Sequence, residues 1–442
     1  MKKLIIPLIA SCALLSTLFI TKDTTPQSWK IDKYRGAVET QRQIAKRDIS
    51  EVKKIISDLQ KEIKKNHWQF RVGITEAIKH QIEDITGLKS PANLESQARN
   101  QNSIADKSLD QLVERKKKSQ PASVRSNFFF FTDEEDFFFT PRKKKATTVD
   151  DLTAKRTENR NILGEDWETL PDDRGSDIAR KDDIPEPIIE PKKKDEVPKV
   201  EPPAEQEDTS GIGFIANPDA PAFNWRDKKR VTPIRHQYTC GSCWAFTTIG
   251  VLESSYKIQT NKDYDFSEQQ IVDCATGNDG RRAGSCNGGW YGSAFESLQR
   301  NGAILDSMSP YKNKDGFCSG TSPSNYKIAT WAYVVPNAGT PSIKDMKRAI
   351  AKYGPVATAC KVTPAFQGYT GGVFDEHTSM YGANDVNHAV VVEGWDDSKG
   401  RGAWLLRNSW GTGWGDNGYM WIEYQCNGIG FGAAWVVADT QR

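Results

Sequence analysis

Residues 237–244 read Gln237-Tyr238-Thr239-Cys240-Gly241-Ser242-Cys243-Trp244. Immediately beyond, Trp244, Ala245, Phe246, Ile249, Val251, Leu252 and Tyr256 form a largely apolar helical pattern that starts near Cys243. A long helix with its first turn there directs unpaired backbone N–H groups and the positive end of its dipole at the sulfur, which favours thiolate over thiol. A thiol nucleophile also needs a base, and the base needs an orienting group. His388 lies 145 residues further on, in Val386-Asn387-His388-Ala389-Val390-Val391-Val392. That β-branched run reads as a buried strand with the histidine at its start. Asn408-Ser409-Trp410-Gly411 begins 165 residues after Cys243. The other histidines compare poorly: His67 and His80 are N-terminal, His236 precedes the glutamine, and His377 sits in a polar loop.

The chain has 442 residues, enough for two or three domains, and a net charge of +2, which argues for neither nucleic acid nor an anionic surface as partner. Of 34 Gly, 29 follow residue 210, as do 10 of 13 Trp. Residues 218–442 therefore read as one turn-rich globular domain large enough to bury a core. Met1-Lys2-Lys3 followed by the apolar stretch Leu4–Ile20 reads as an export signal or an anchor, 1–22. Ile9-Ala10-Ser11-Cys12 leaves a lipid-bearing N-terminus open beside a cleaved signal and an uncleaved anchor. All three place the protein outside the cytoplasm, periplasmic or extracellular and with the membrane touched only at this end. Seven of the eight Cys follow residue 239. With Cys243 set apart as reactive, six remain, enough for three bridges in an oxidising compartment. The Cys-Gly-Ser-Cys spacing has no second cysteine pair or histidine cluster to make a zinc site, so no metal is expected.

The region 23–182 is sparser in core formers. Ile44, Ile49, Val52, Ile56, Leu59 and Ile63 recur at helical steps. Trp68–Val72 reads as a short strand and Ile74–Leu88 as a second helix closed by Gly87. Phe128–Phe131 and Phe137–Phe139 flank an acidic cluster and read as a docking patch or a low-complexity stretch. The segment 183–217 is a Pro/Lys/Glu-rich linker, extended because proline fixes φ and removes donors. The region before the linker is either a spacer or a self-inhibitory pro-segment.

From Ala222 onward the chain resembles the papain family of cysteine proteases. The likeness is carried by Cys240-Gly241-Ser242-Cys243-Trp244, Phe223-Asn224-Trp225-Arg226, Phe266–Cys274, Cys286-Asn287-Gly288-Gly289 and Asn408–Gly418. It implies an α+β papain-like fold, with a helical lobe to about residue 330, a β-barrel-like lobe after it and the cleft between. It implies Cys243 as nucleophile, His388 as base and acid, Asn408 as orienter, Trp410 as its shield and Gln237 as oxyanion donor. By the same resemblance, Gly288 and Gly289 would pair with an extended peptide, Trp290, Tyr291, Ala359, Val386 and Ala389 would line the main specificity pocket, and Asn387, where the family often has Asp, would also contact substrate. Gly432 or Ala433 would form its floor. The resemblance suggests bridges Cys240–Cys286 and Cys274–Cys318, and the remainder gives Cys360–Cys426, with both of these open to being free. The helix pattern usual in the family's pro-segments does not fit here. The expected activity is a cysteine endopeptidase acting on peptide or protein substrates through a thioester, with no cofactor. A catalytically silent papain-fold scaffold and an acyl transferase are the rivals; loss of Cys243, His388, Gln237 or Asn408 would mark the first, and none is lost.

Overall fold

The computed structural model describes residues 46–119, 216–318, 323–380 and 382–440. The lead 1–22, the phenylalanine clusters and all but the end of the linker 183–217 lie outside the described residues. Among the described residues no helix is long and apolar enough to cross a membrane.

α1 (Ile49–Asn66) starts at Asp48, whose carboxylate accepts the Ser50 N–H at 2.8 Å, and ends at His67 with φ 56°. Its Val52, Ile56 and Leu59 are buried, one apolar stripe at helical spacing. β1 (Phe70–Val72) follows. The helix expected over 74–88 does not form. In its place are a 3-10 turn, Ala77–Lys79, and the single-turn α2 (Ile82–Ile85), after which the chain is extended. The cause is tertiary. Gln367 Nε2 takes the Ala77 and His80 carbonyls at 3.1 Å each, and the Thr75 hydroxyl donates to Gln367 O at 2.6 Å. Carbonyls that a continuous helix would use are thus held from outside it. α3 (Leu94–Ser119), which sequence patterning did not anticipate, comes next.

The second part opens with β2 (Ala222–Asn224). α4 (Cys243–Thr260) is buried from Cys243 to Tyr256, as suits a helix that is apolar on most sides. It is packed by α5 (Glu268–Cys274) and α6 (Tyr291–Asn301), with the small ribbon β3 (Gly284–Ser285) and β4 (Gly288–Gly289) beside them. Bridges Cys240–Cys286 and Cys274–Cys318 tie this lobe, and closing loops of 46 and 44 residues restrains the unfolded chain.

The other lobe is a nine-stranded sheet among the described residues. Its strands are β5 (Ile328–Tyr333), β6 (Val356–Cys360), β7 (Tyr369–Phe374), β8 (His388–Asp396), β9 (Ala403–Arg407), β10 (Tyr419–Glu423) and β11 (Phe431–Ala438), joined by β1 and β2. The order is β1-β7-β10-β9-β8-β6-β11-β5, with β2 paired to β8. Only β10 and β7 run parallel; the other strand pairs are antiparallel. α7 (Ile343–Tyr353) covers part of this sheet. One core lies under it, including Trp395, Leu406, Trp414 and, from the N-terminal part, Val52 and Phe70. A second core, with Trp244, Leu252, Phe295 and Trp331, fills the helical lobe. The architecture is the expected α+β arrangement of two lobes.

One pairing needs correction. Cys360 and Cys426 are buried free thiols and do not form a third bridge. Cys360 ends β6 opposite His388, in register with the sheet. Cys426 starts a separate 3-10 turn, where its sulfur accepts the His377 N–H at 3.4 Å.

Candidate active site

Cys243 is the first residue of α4, and its neighbour Ser242 does not cap the helix with its side chain. The Ser242 hydroxyl instead pairs with Tyr311 Oη at 2.7 Å. First-turn N–H groups are therefore left for the sulfur: those of Cys243 and Trp244, joined by Ala389 and Gly87 N–H, all favour its charged form. With Cys240 engaged in a bridge, Cys243 keeps a free, buried thiol.

The register of the sheet brings the histidine to the asparagine. β8 begins at His388, β9 ends at Arg407, and the two strands are antiparallel with Val391 opposite Arg407. His388 Nε2 lies 2.8 Å from Asn408 Oδ1, an oxygen that also accepts the Ser409 N–H at 2.8 Å. The Trp410 ring sits 4.8 Å from the imidazole and shields that bond. Gln237 is locked in place: its Oε1 accepts the Ser409 hydroxyl at 2.6 Å, and its Nε2 donates to Cys240 O at 3.0 Å.

Residues 85–89 lie across these groups, a feature the sequence reading missed. The Ile85 carbonyl accepts from Gln237 Nε2 and from Trp410 Nε1, each at 3.1 Å. Gly87 O accepts the Gly289 N–H at 2.8 Å, and Gly289 O accepts the Lys89 N–H at 3.0 Å. Asn387 O accepts the N–H groups of Gly87 at 3.1 Å and Leu88 at 3.0 Å, while its side chain is turned to Val362. Gly288 has φ 112°, and a Cβ on it would lie 2.7 Å from Gly87 O. Leu88 is buried in one cluster with Trp290, Tyr291, Ala359, Val386 and Ala389. The Tyr291 hydroxyl donates to Gly432 O at 2.6 Å and so closes the floor of that cluster. The only sequence signal for this strap was Gly87, read there as the end of a helix.

Burial sets the charges. Removal from water pushes the Cys243 thiol up to about 12, outweighing its N–H neighbours. It pushes His388 down to about 4, only partly offset by Asn408. His388 Nδ1 is buried without a hydrogen-bond partner. Burial thus favours the neutral form of both groups in this state. The cause is desolvation with the strap in place. Below such a pKa the thiolate fraction rises tenfold per pH unit. Iodoacetamide labelling of Cys243 in the intact chain is expected to be slow at pH 6 and to climb steadily to pH 9. A rate already at its plateau at pH 6 would show that the sulfur is ionised despite the strap.

Residues 220–436 match the family described as papain family cysteine protease. The chain is 37% identical over 218 residues to pro-cathepsin H of Bos taurus, covering 49% of this chain and 63% of that one. It is 36% identical over 208 residues to the oryzain gamma chain of Oryza sativa subsp. japonica, covering 47% and 56%. Among solved structures it is similar to digestive procathepsin L 3 of Tenebrio molitor larval midgut, at 31% identity and TM-score 0.45, covering 50% and 70%. It is similar also to the bromelain protease from Ananas comosus, at 31% identity and TM-score 0.42, covering 49% and 98%. The matches to these curated relatives span less than two thirds of their length.

Proposed function

Residues 220–436 belong to the papain family of cysteine proteases, and from that premise we propose that the chain is the latent precursor of an exported cysteine endopeptidase. The reading rests on one observation above the rest: residues 85–89 hydrogen-bond to Gln237, Gly289, Asn387 and Trp410, the neighbours of a free thiol at a helix start and of a histidine oriented by Asn408. With the strap gone, water and substrate re-enter, and Cys243 and His388 can exchange a proton to form the reactive pair. Cys243 then attacks the peptide carbonyl, and the resulting oxyanion takes the Gln237 amide and the Cys243 N–H, the place of the Ile85 carbonyl being vacated. One such donor is worth roughly 3 kcal/mol of barrier. His388 gives its proton to the leaving amine, and water hydrolyses the thioester with His388 as base.

Leu88 marks the chemistry of the pocket as apolar, since it is buried in one hydrophobic cluster with Trp290, Tyr291, Ala359, Val386 and Ala389. Leucine two residues before the cut is preferred over lysine, by about 10- to 100-fold in kcat/KM at roughly 1–3 kcal/mol. A peptide blocked at both ends, with leucine at that position, tests both points once the strap has been released. Internal cleavage supports an endopeptidase; cleavage of free-ended peptides alone would make the enzyme an exopeptidase.

Acid is expected to open the latent form. With the strap docked, burial holds His388 and His236 down to about 4, and holds His80 below its ordinary value. Groups with depressed values take up protons on opening, so docking is full above pH 6.5 and weakens as pH falls from 6.5 towards 4. The onset of peptidase activity should quicken across that window. Onset at equal speed at pH 7.5 and pH 4.5 would refute the linkage.

A further inference from the structure

α3 does not belong with the strap. Its buried face runs through Leu94, Ala98, Gln101, Asn102, Ala105 and Leu112, and it packs on β5, the strand at one end of the sheet. The two amides on that face address main chain alone. Asn102 Nδ2 donates to Tyr333 O at 2.9 Å while its Oδ1 accepts the Tyr333 N–H at 3.0 Å. Gln101 Nε2 donates to Trp331 O at 2.7 Å. Residues 331 and 333 are those whose main-chain groups point away from β11, since Val334 N–H is turned to Ala433 O. One amide that both gives to and takes from the same residue reproduces the hydrogen-bonded pair of an antiparallel ladder. The helix therefore completes the sheet as a neighbouring strand would.

An uncovered edge of this kind, with Trp331 and Tyr333 beneath it, is a template for unwanted pairing between copies. Tyr333 is also tied to the cleft, for its hydroxyl accepts from Trp290 Nε1 at 2.8 Å. None of these α3 contacts reaches Cys243, His388, Gln237 or Gly289. We propose that α3 is a standing part of the active enzyme, the cover of the β5 edge, and that activation is one cut in the turn 89–93 that frees only the chain ahead of it. This rests on the reading of residues 85–89 as the inhibitory strap. In that turn Lys89, Ala92 and Asn93 are exposed. The cut adds one water across one peptide bond, leaving a carboxylate on the departing strap and an amine ahead of α3. Because α3 precedes the catalytic domain in the chain, residues 94–442 can remain one covalent piece.

Acid acts oppositely on the two sides of the turn. Burial and the nearby Asp110 raise Asp106 of α3 to about 6, and the facing strand β5 offers only Tyr333 as a titratable group. A raised carboxyl is protonated in the docked state, so α3 holds better as pH falls below 6, in the range where the histidine side loosens.

Full-length protein brought to activity at pH 4.5, or by a trace of added protease, provides the test. Its iodoacetamide-reactive, peptide-hydrolysing fraction is sized under native conditions, then sequenced from the N-terminus and weighed intact. The expected active species starts between residues 89 and 94 and contains 94–119, either covalently or as a fragment that co-elutes. An active species without any of 94–119 overturns the proposal. Asn102→Asp removes the donor to Tyr333 O and sets a carboxylate against it. The thermal midpoint of the active species should fall by about 4 °C, while the residual activity of the uncut chain changes less than twofold; an unchanged midpoint counts against a standing role. Failure of the strap reading looks different: no fraction, cut or uncut, gains reactivity at Cys243.

Discussion

Gly87→Ala should turn the uncut full-length chain from latent to active, with peptidase rate and Cys243 alkylation rate at neutral pH both rising about 100-fold. A Cβ at residue 87 would stand 2.0 Å from Gly241 O, 2.5 Å from its carbonyl carbon and 2.6 Å from its Cα. These are backbone atoms that cannot swing aside. Gly241 is flanked by the bridged Cys240, and its own N–H is bonded to Cys286 O at 2.8 Å. The strap must yield, and with it go its hydrogen bonds to Asn387 and Gly289. Overpacking and lost hydrogen bonds together amount to about 3 kcal/mol, and 1.4 kcal/mol is tenfold in the open fraction. Alkylation reads accessibility and ionisation separately from turnover, so equal rates in Gly87→Ala and the parent chain would sink the strap as inhibitor.

Cys243→Ala has the opposite sign and a larger size. In the activated enzyme it should lower kcat by about a millionfold, because nucleophile and base act as a unit. The variant should keep its fold, since alanine loses only one buried sulfur and both bridges are elsewhere. Thermal unfolding should therefore stay cooperative, while hydrolysis and the burst of acyl-enzyme vanish. Residual activity near the parent level would assign the chemistry to another group, and Cys360 and Cys426 are the thiols to examine first.

The catalytic half was legible because its signals are local. Cys243 stands out by the Cys240-Gly241-Ser242-Cys243-Trp244 run ahead of an apolar helix, and His388, at the head of the valine run that forms β8, by the family resemblance. What sequence patterning cannot carry is an interaction between distant segments. Residues 74–88 have the apolar content of a helix, but Gln367 and Gly289, hundreds of residues away, claim their carbonyls. α3 escaped notice because its buried stripe is alanine and amide between Leu94 and Leu112, and its purpose appears only beside β5. The effect of burial on the Cys243 sulfur was hidden from the sequence for a related reason. A helix start favours thiolate only when water or a charged partner also reaches the sulfur, and the strap removes the first.

Phe70 pairs with Gly372, a partner made about 300 residues later during synthesis. The ribosome thus delivers β1 well before the strand it pairs with, and β1 stays unpaired until β7 has been made. Contacts so far apart in the chain are slow to form. Docking of β1 is therefore a late step, and the interval before it is a time of exposure to aggregation and to premature digestion.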